Sequence, residues 1–155
     1  MLTRLGSYQL NQPVGDVPDL IEFDPEQYAL FEMAGVKRLL RDERIYNGHD
    51  INFLDSVWNT VIGASDGKIY KVSIQNMSPD KAASAALFRA TLTHLRQQMG
   101  GFTTHPWFTK RYIWDDIEGN VLLNQVSKMG IASINLFLTS SAIRSQVGAQ
   151  LRQVL

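Results

Sequence analysis

The sequence contains no cysteine, which excludes a disulfide framework and removes a main ligand of structural zinc sites. Charge is scarce as well: 19% of residues are charged, and 15 basic side chains cancel 15 acidic ones. A neutral chain lacks the cationic surface that displaces counterions from phosphate, so nucleic acid is not an expected partner. No apolar run approaches the ~18 residues of a membrane-spanning helix, so a membrane is not expected either. Met1-Leu2-Thr3-Arg4 leads into Gly6-Ser7-Tyr8-Gln9 without the apolar stretch of an export signal. The cytoplasm is therefore the expected compartment.

Motifs for cofactor chemistry are missing too. Neither a Walker pattern nor G-x-G-x-x-G occurs, so no phosphate cradle is expected. The three histidines, His49, His94 and His105, stand alone, with no pair at helical metal-binding spacing and no His-Glu-x-x-His. The expectation is no metal, no cofactor and no catalytic constellation.

What is present describes a folded protein. Hydrophobic residues make up 45% of 155 at zero net charge, which is enough for one core and argues against disorder. Ser, Thr, Asn and Gln number 37 and occupy positions that charges would otherwise hold. The charges that remain are unevenly placed. Residues 1–75 carry 7 basic and 11 acidic side chains, and residues 76–155 carry 8 and 4. The two halves either neutralise each other within one domain, which is the first expectation, or form a dipolar surface that favours head-to-tail association or steers a charged partner.

Leu5 to Leu10 and Leu20 to Phe23 read as strands around a Pro- and Gly-containing turn. Asp24-Pro25-Glu26-Gln27 has the cap, the N1 proline and the returning amide of a helix start. Val36–Arg41 fits neither the helical nor the strand period. Asp66-Gly67, between two β-rich runs from Val57 to Gln75, predicts a tight hairpin with Ser65 opposite Lys68, Gly63 opposite Tyr70 and Val61 opposite Val72. In that register Val57, Val61, Tyr70, Val72 and Ile74 form a core face, and Lys71, Ser73 and Gln75 face away from it.

A helix from Pro79 to Met99, capped by Ser78 and stopped by Gly100-Gly101, carries Phe88, Leu92, Leu95 and Met99 as one stripe. Runs at Lys110–Asp115, Asn120–Ser127 and Ile131–Thr139, joined by short glycine-containing links, predict an antiparallel meander. Residues 142–155 close the chain as an amphipathic docking or oligomerisation helix, with Ile143, Val147 and Leu151 at i, i+4 and i+8. The expected fold class is α+β: a twisted antiparallel sheet of hairpin plus three-stranded meander, one long helix across a face and a C-terminal helix, all within a single domain spanning 1–155.

Among residues that could carry chemistry, Gly63-Ala64-Ser65-Asp66-Gly67 matches G-x-S-x-G, yet a nucleophile elbow needs a strand feeding a helix and here a strand feeds a strand. Asp16, Asp19, Glu22, Asp24 and Glu26 cluster without the spacing of a calcium loop and read as a solvated acidic face beside an edge strand. Phe102, Trp107, Phe108, Tyr112 and Trp114 place five aromatics within thirteen positions, next to His105 and Arg111. Phe102, Tyr112 and Trp114 suit a core lid, whereas Trp107, Phe108 and Arg111 are the residue types that dominate protein interfaces.

The sequence thus points to a non-enzymatic interaction module, self-associating or bound to another protein. Its contact residues are Trp107, Phe108, Arg111, Ile143, Val147 and Leu151. The alternative is a small-molecule binder or hydrolase with a pocket between helix and sheet, its polar groups drawn from His49, Asp50, His105 and Arg111.

Overall fold

The structure, a computed structural model, describes residues 2–27, 38, 40, 42–106 and 109–141. Within them the chain forms ten strands and one long helix. The first two strands, β1 (Arg4–Leu5) and β2 (Tyr8–Gln9), make a small hairpin of their own. The run Leu5–Leu10 is therefore not one strand. Gly6, at φ 59°, turns the chain in its middle and lets Leu5, Tyr8 and Leu10 all enter the core.

The remaining strands are β3 (Ile21–Glu22), β4 (Arg44–Asn47), β5 (Ile51–Phe53), β6 (Ser56–Ser65), β7 (Lys68–Ser78), β8 (Arg111–Asp115), β9 (Gly119–Lys128) and β10 (Ile131–Ser140). They form one antiparallel sheet in the order β3-β4-β6-β7-β10-β9-β8, with β5 paired to the start of β6. The hairpin and the meander are thus joined edge to edge by β7 and β10, and the helix α1 (Lys81–Met99) carries the chain from β7 to the far edge at β8.

Three two-residue turns have both central residues at positive φ, as tight hairpins of right-handed twist require. Asp66-Gly67 is the conventional choice for that geometry; Met129-Gly130 shares only its glycine, and Leu54-Asp55, at φ 51° and 57°, has none. Packing secures it: Phe53 meets Trp58 edge-on at 5.8 Å, and the Trp58 indole N–H donates to the Phe53 carbonyl at 2.9 Å.

Helix α1 begins two residues later than the sequence predicts. Asp80, not Ser78, is the cap, its carboxylate accepting from the Ala83 N–H at 3.0 Å, while Ser78 Oγ accepts from the Asp80 N–H. Gly100 at φ 80° ends the helix, as expected. Its inward side buries Phe88 and Leu95, half-buries Leu92 and Met99, and also buries Ser84 and Thr91. Thr91 Oγ1 is satisfied by the Leu87 carbonyl at 2.7 Å and Ser84 Oγ by Gln125 at 2.9 Å, so burial of these hydroxyls strands no polar atom. The stripe packs on β7 and β10 against Ile74, Leu136 and their neighbours, in a core that includes Trp58, Ile62, Val72, Leu123 and Leu138.

The β6–β7 hairpin departs from the predicted register. Ser65 does face Lys68, but the register shifts between Gly63 and Ala64, so that Ala64 faces Ile69 and Gly63 faces Lys71, with Tyr70 the extra residue of the bulge. Beyond it Ile62 faces Val72 and Val61 faces Ser73. Val61 and Tyr70 consequently leave the expected core face and join Lys71, Ser73 and Gln75 on the opposite one. That opposite face is buried too: Lys71 is 4% exposed, Ser73 0% and Gln75 1%.

The α+β architecture agrees with the sequence reading. The strand Leu20–Phe23 is present as β3, and the helix start at Asp24 is present as a turn of 3-10 helix, Pro25–Gln27. Val36–Arg41 and the expected C-terminal helix fall on or largely on residues outside the described ones. Among the described residues, no helix is long and apolar enough to cross a membrane.

Candidate interaction site

The aromatic link is built onto the β8 edge. After α1, Thr103 and Thr104 donate their N–H groups to the Ile113 carbonyl at 2.7 and 3.1 Å, and the Ile113 N–H returns to Thr104 at 2.9 Å. The link thereby pairs with β8 and covers part of that strand's open edge. Phe102 packs edge-on against Tyr112 at 5.0 Å and Trp114 at 6.3 Å, and the Trp114 indole N–H donates to the Gly100 carbonyl at 3.1 Å. Phe102, Tyr112 and Trp114 are the lid that their spacing suggests, closing the end of α1.

His105 extends this stack outward. Its ring lies parallel to Tyr112 at 4.1 Å, and its Nδ1 sits 2.9 Å from the Arg111 carbonyl oxygen. Residues 105 and 111 are therefore tied across the neck of a loop. Inside it the Thr109 N–H and Oγ1 both reach the Pro106 carbonyl, at 3.2 and 2.6 Å, closing a four-residue turn over 106–109. Arg111, exposed, flanks that turn. Trp107 and Phe108, between its bonded ends, lie outside the described residues, as do Ile143, Val147 and Leu151.

The alternative grouping does not converge. His49 and Asp50 follow β4, where the His49 backbone N–H donates to the Tyr8 hydroxyl at 2.7 Å. Arg111 begins β8, and His105 stacks on its neighbour Tyr112. Five strand steps separate β4 from β8 in the sheet order, roughly 24 Å at ~4.8 Å per step. His94 packs edge-on against Phe53 at 5.4 Å, as a partly buried structural side chain does. Ser65 ends β6 in the hairpin, its hydroxyl donating to Asp42 at 3.2 Å.

The acidic run meets three different basic side chains. Asp24 and Glu26 share Arg38, at 3.0 and 3.6 Å, Glu22 contacts Arg44 at 4.0 Å, and Asp19 lies 3.5 Å from His49. The Arg38 guanidinium beside Asp24, helped by the Glu26 N–H, holds its carboxyl below the usual aspartate value. Among the described residues, no three His, Asp or Glu side chains gather as a metal would need.

Sequence reasoning missed the sheet face opposite α1. Lys71 Nζ lies 2.9 Å from Glu43 Oε1, with the two side chains 5% and 0% exposed. The Leu40 N–H donates to the other Glu43 oxygen at 3.2 Å, and the ammonium stands 5.7 Å from the Tyr70 ring centre. A Cβ on Gly63 would come within 2.7 Å of Glu43 Oε1 and 2.9 Å of Lys71 Cε, so the glycine makes the room that this pair occupies.

Farther along the strands runs a row of amides: Asn59, Gln75, Asn135 and Asn124, ending at Arg111. Asn59 donates to Gln75 Oε1 at 3.2 Å and Asn135 to Asn124 Oδ1 at 2.7 Å. Gln75 Nε2, fully buried, has no hydrogen-bond partner among the described residues. A hollow of about 370 Å³ at the other end of the strands is lined by Thr3, Gln9, Asn11, Glu118, Ser140 and Ser141. Its polar groups are partly engaged with each other, Gln9 with Thr3 at 3.1 Å and Ser140 with Asn11 at 3.3 Å. The sequence matches no protein-family model, and no curated protein or solved structure matches it either.

Proposed function

We propose that the chain is a non-enzymatic interaction module that self-associates, with the turn over 106–109 and Arg111 as its main contact surface and the cytoplasm as its compartment. The observation behind this reading is the closed turn on the β8 edge. The Thr109 N–H on the Pro106 carbonyl and the His105 ring on the Arg111 carbonyl tie this segment to the β8 edge, with His105 stacked on Tyr112 as an ordered base. Trp107 and Phe108, by residue type, are the bulky apolar side chains that anchor protein interfaces. Arg111 on the flank completes the trio of types that anchor interfaces. The opposite charge balance of the two halves of the chain orients one copy against the next.

Native mass spectrometry of the full chain tests the reading. The wild type is expected as a dimer or larger assembly without added ligand mass. Trp107→Ala with Phe108→Ala is expected to weaken assembly at least about 30-fold, the loss of one or two anchor residues, with an unchanged circular dichroism spectrum. A wild type that stays monomeric at every concentration, or a double variant that assembles as well as wild type, overturns it.

A further inference from the structure

We propose that the hollow at the end of β10 is a binding site for a small hydroxylated cation of amino-sugar size. It shares no residue with the turn over 106–109 and stands apart from the self-association reading. The hollow opens where two pieces of chain meet beside β7. β10 has its last partner on β7 at Lys71, opposite Thr139. Beyond it residues 11–14 take over. The Asn11 N–H donates to the Ile69 carbonyl at 2.7 Å, the Ile69 N–H to Gln12 at 2.9 Å and the Val14 N–H to Gly67 at 2.9 Å. Asn11, at φ 69°, bends the chain at the joint, and the Ser140 hydroxyl spans it to Asn11 Oδ1 at 3.3 Å.

Both walls are built by the fold itself. On one side Gln9 is held at each end: Arg4 Nε donates to its Oε1 at 3.0 Å, and its Nε2 donates to Thr3 Oγ1 at 3.1 Å. Leu10, 5% exposed, fixes that wall to the core. On the other side the Ser141 N–H donates to the Glu118 carbonyl at 3.1 Å, and the Asp116 carboxylate accepts from the N–H groups of Glu118 and Gly119 at 2.6 and 3.2 Å. Gly119 lets β9 begin this close to β10, since a Cβ there would come within 2.5 Å of the Thr139 carbonyl oxygen. Walls already ordered lose little freedom when a ligand binds.

The groups these walls still present define the ligand. Asn11 Oδ1 is taken by Ser140, which leaves the two Nδ2 donors, and the Thr3 and Ser141 hydroxyls can each serve a partner. Glu118 is the one charged residue in the lining, and among the described residues its carboxylate has no ion-pair partner. An anion would meet that carboxylate with no lysine or arginine in the lining to offset it. An apolar ligand would strip water from these groups and return no hydrogen bond. A hydroxylated ammonium compound answers both: its charge meets Glu118, and its hydroxyls meet Asn11, Thr3 and Ser141. The volume of about 370 Å³ lies at the small end of the ~300–1,000 Å³ range of ligand sites, which suits one sugar ring.

An NMR titration of the isotope-labelled full chain with glucosamine tests the site, with glucose as the probe of similar shape and no charge. Glucosamine is expected to shift the Asn11 side-chain amide and the Gly119 and Ser141 backbone amides saturably, with a Kd on the order of 1 mM. Glucose is expected to bind about fivefold more weakly, because it lacks the ammonium group. Glu118→Gln, at an exposed position, should erase that difference. Asn11→Gly, which suits the positive φ, should weaken both sugars about fivefold. No saturable shift at these amides by ~50 mM glucosamine overturns the proposal, since so weak a site has no specific ligand of this class. Glucose binding as tightly as glucosamine, an unchanged preference in Glu118→Gln, or wild-type binding by Asn11→Gly overturns it as well. Should Asn11→Gly lose its fold by circular dichroism, the Glu118→Gln comparison decides alone.

Discussion

On the α1 side of the sheet, Trp58, Ile62, Val72, Ile74, Leu123, Leu136 and Leu138 are all at 0% exposure, and each is apolar. On the other side, Ser73, Ser133 and Asn135 are also at 0%, Gln75 is at 1% and Lys71 at 4%. Both faces are interior, yet they are held by different physics. The first gains from removing apolar area from water and asks little of geometry. The second must replace every hydrogen bond that water offered, so it works only with particular partners at particular distances. A polar strand residue therefore does not by itself mark a solvated face.

The largest expected effect comes from breaking the buried pair. Lys71→Met removes the ammonium held 2.9 Å from the buried Glu43 carboxylate and should cost about 3–5 kcal/mol in chemical denaturation. Joining it to Glu43→Leu should recover most of that loss, because the costly element is the uncompensated charge and not the missing attraction. If the double variant is as unstable as the single one, the polar face depends on the pair for more than neutralisation.

A smaller loss is expected from Gly63→Ala. The added methyl must push against the Glu43 carboxylate and the Lys71 stem, costing roughly 1–3 kcal/mol. Equal stability would mean that the bulge has slack and that the two faces tolerate crowding alike.

The smallest effect belongs to the surface, where Asp24 meets Arg38. Its folded pKa lies below the ordinary value, so this contact stabilises the fold above that value and is lost as pH falls through the folded pKa. Arg38→Gln should raise the Asp24 titration midpoint in an NMR pH series, with little change in thermal stability at neutral pH. An unmoved midpoint would show that the Glu26 N–H alone sets it.

Much of the fold was legible because its signals are local. Asp66-Gly67, Met129-Gly130, the period-2 runs of β9 and β10 and the stripe on α1 each act within a few residues, and each appears in the structure. β4 and β5 were not anticipated, since Arg44–Asn47 is short and Leu54-Asp55 contradicts the usual turn chemistry. The bulge at Gly63 was missed for the same reason that it matters. It is selected by Glu43, twenty positions away, and no local pattern carries that contact. For the contact surface, the crowding of aromatics drew attention to residues 102–114, but only the bonded neck at His105 and Arg111 separates the lid from the turn beyond it.

By itself, then, the sequence determined the α+β class, the hairpin and meander units and the helix that joins them, because turn chemistry and periodicity are properties of neighbouring residues. Only the tertiary structure decided the order of strands, the bulge, and the burial of Lys71 with Glu43. Those depend on contacts between residues far apart in the chain, whose free energy exists only once the sheet has closed around them.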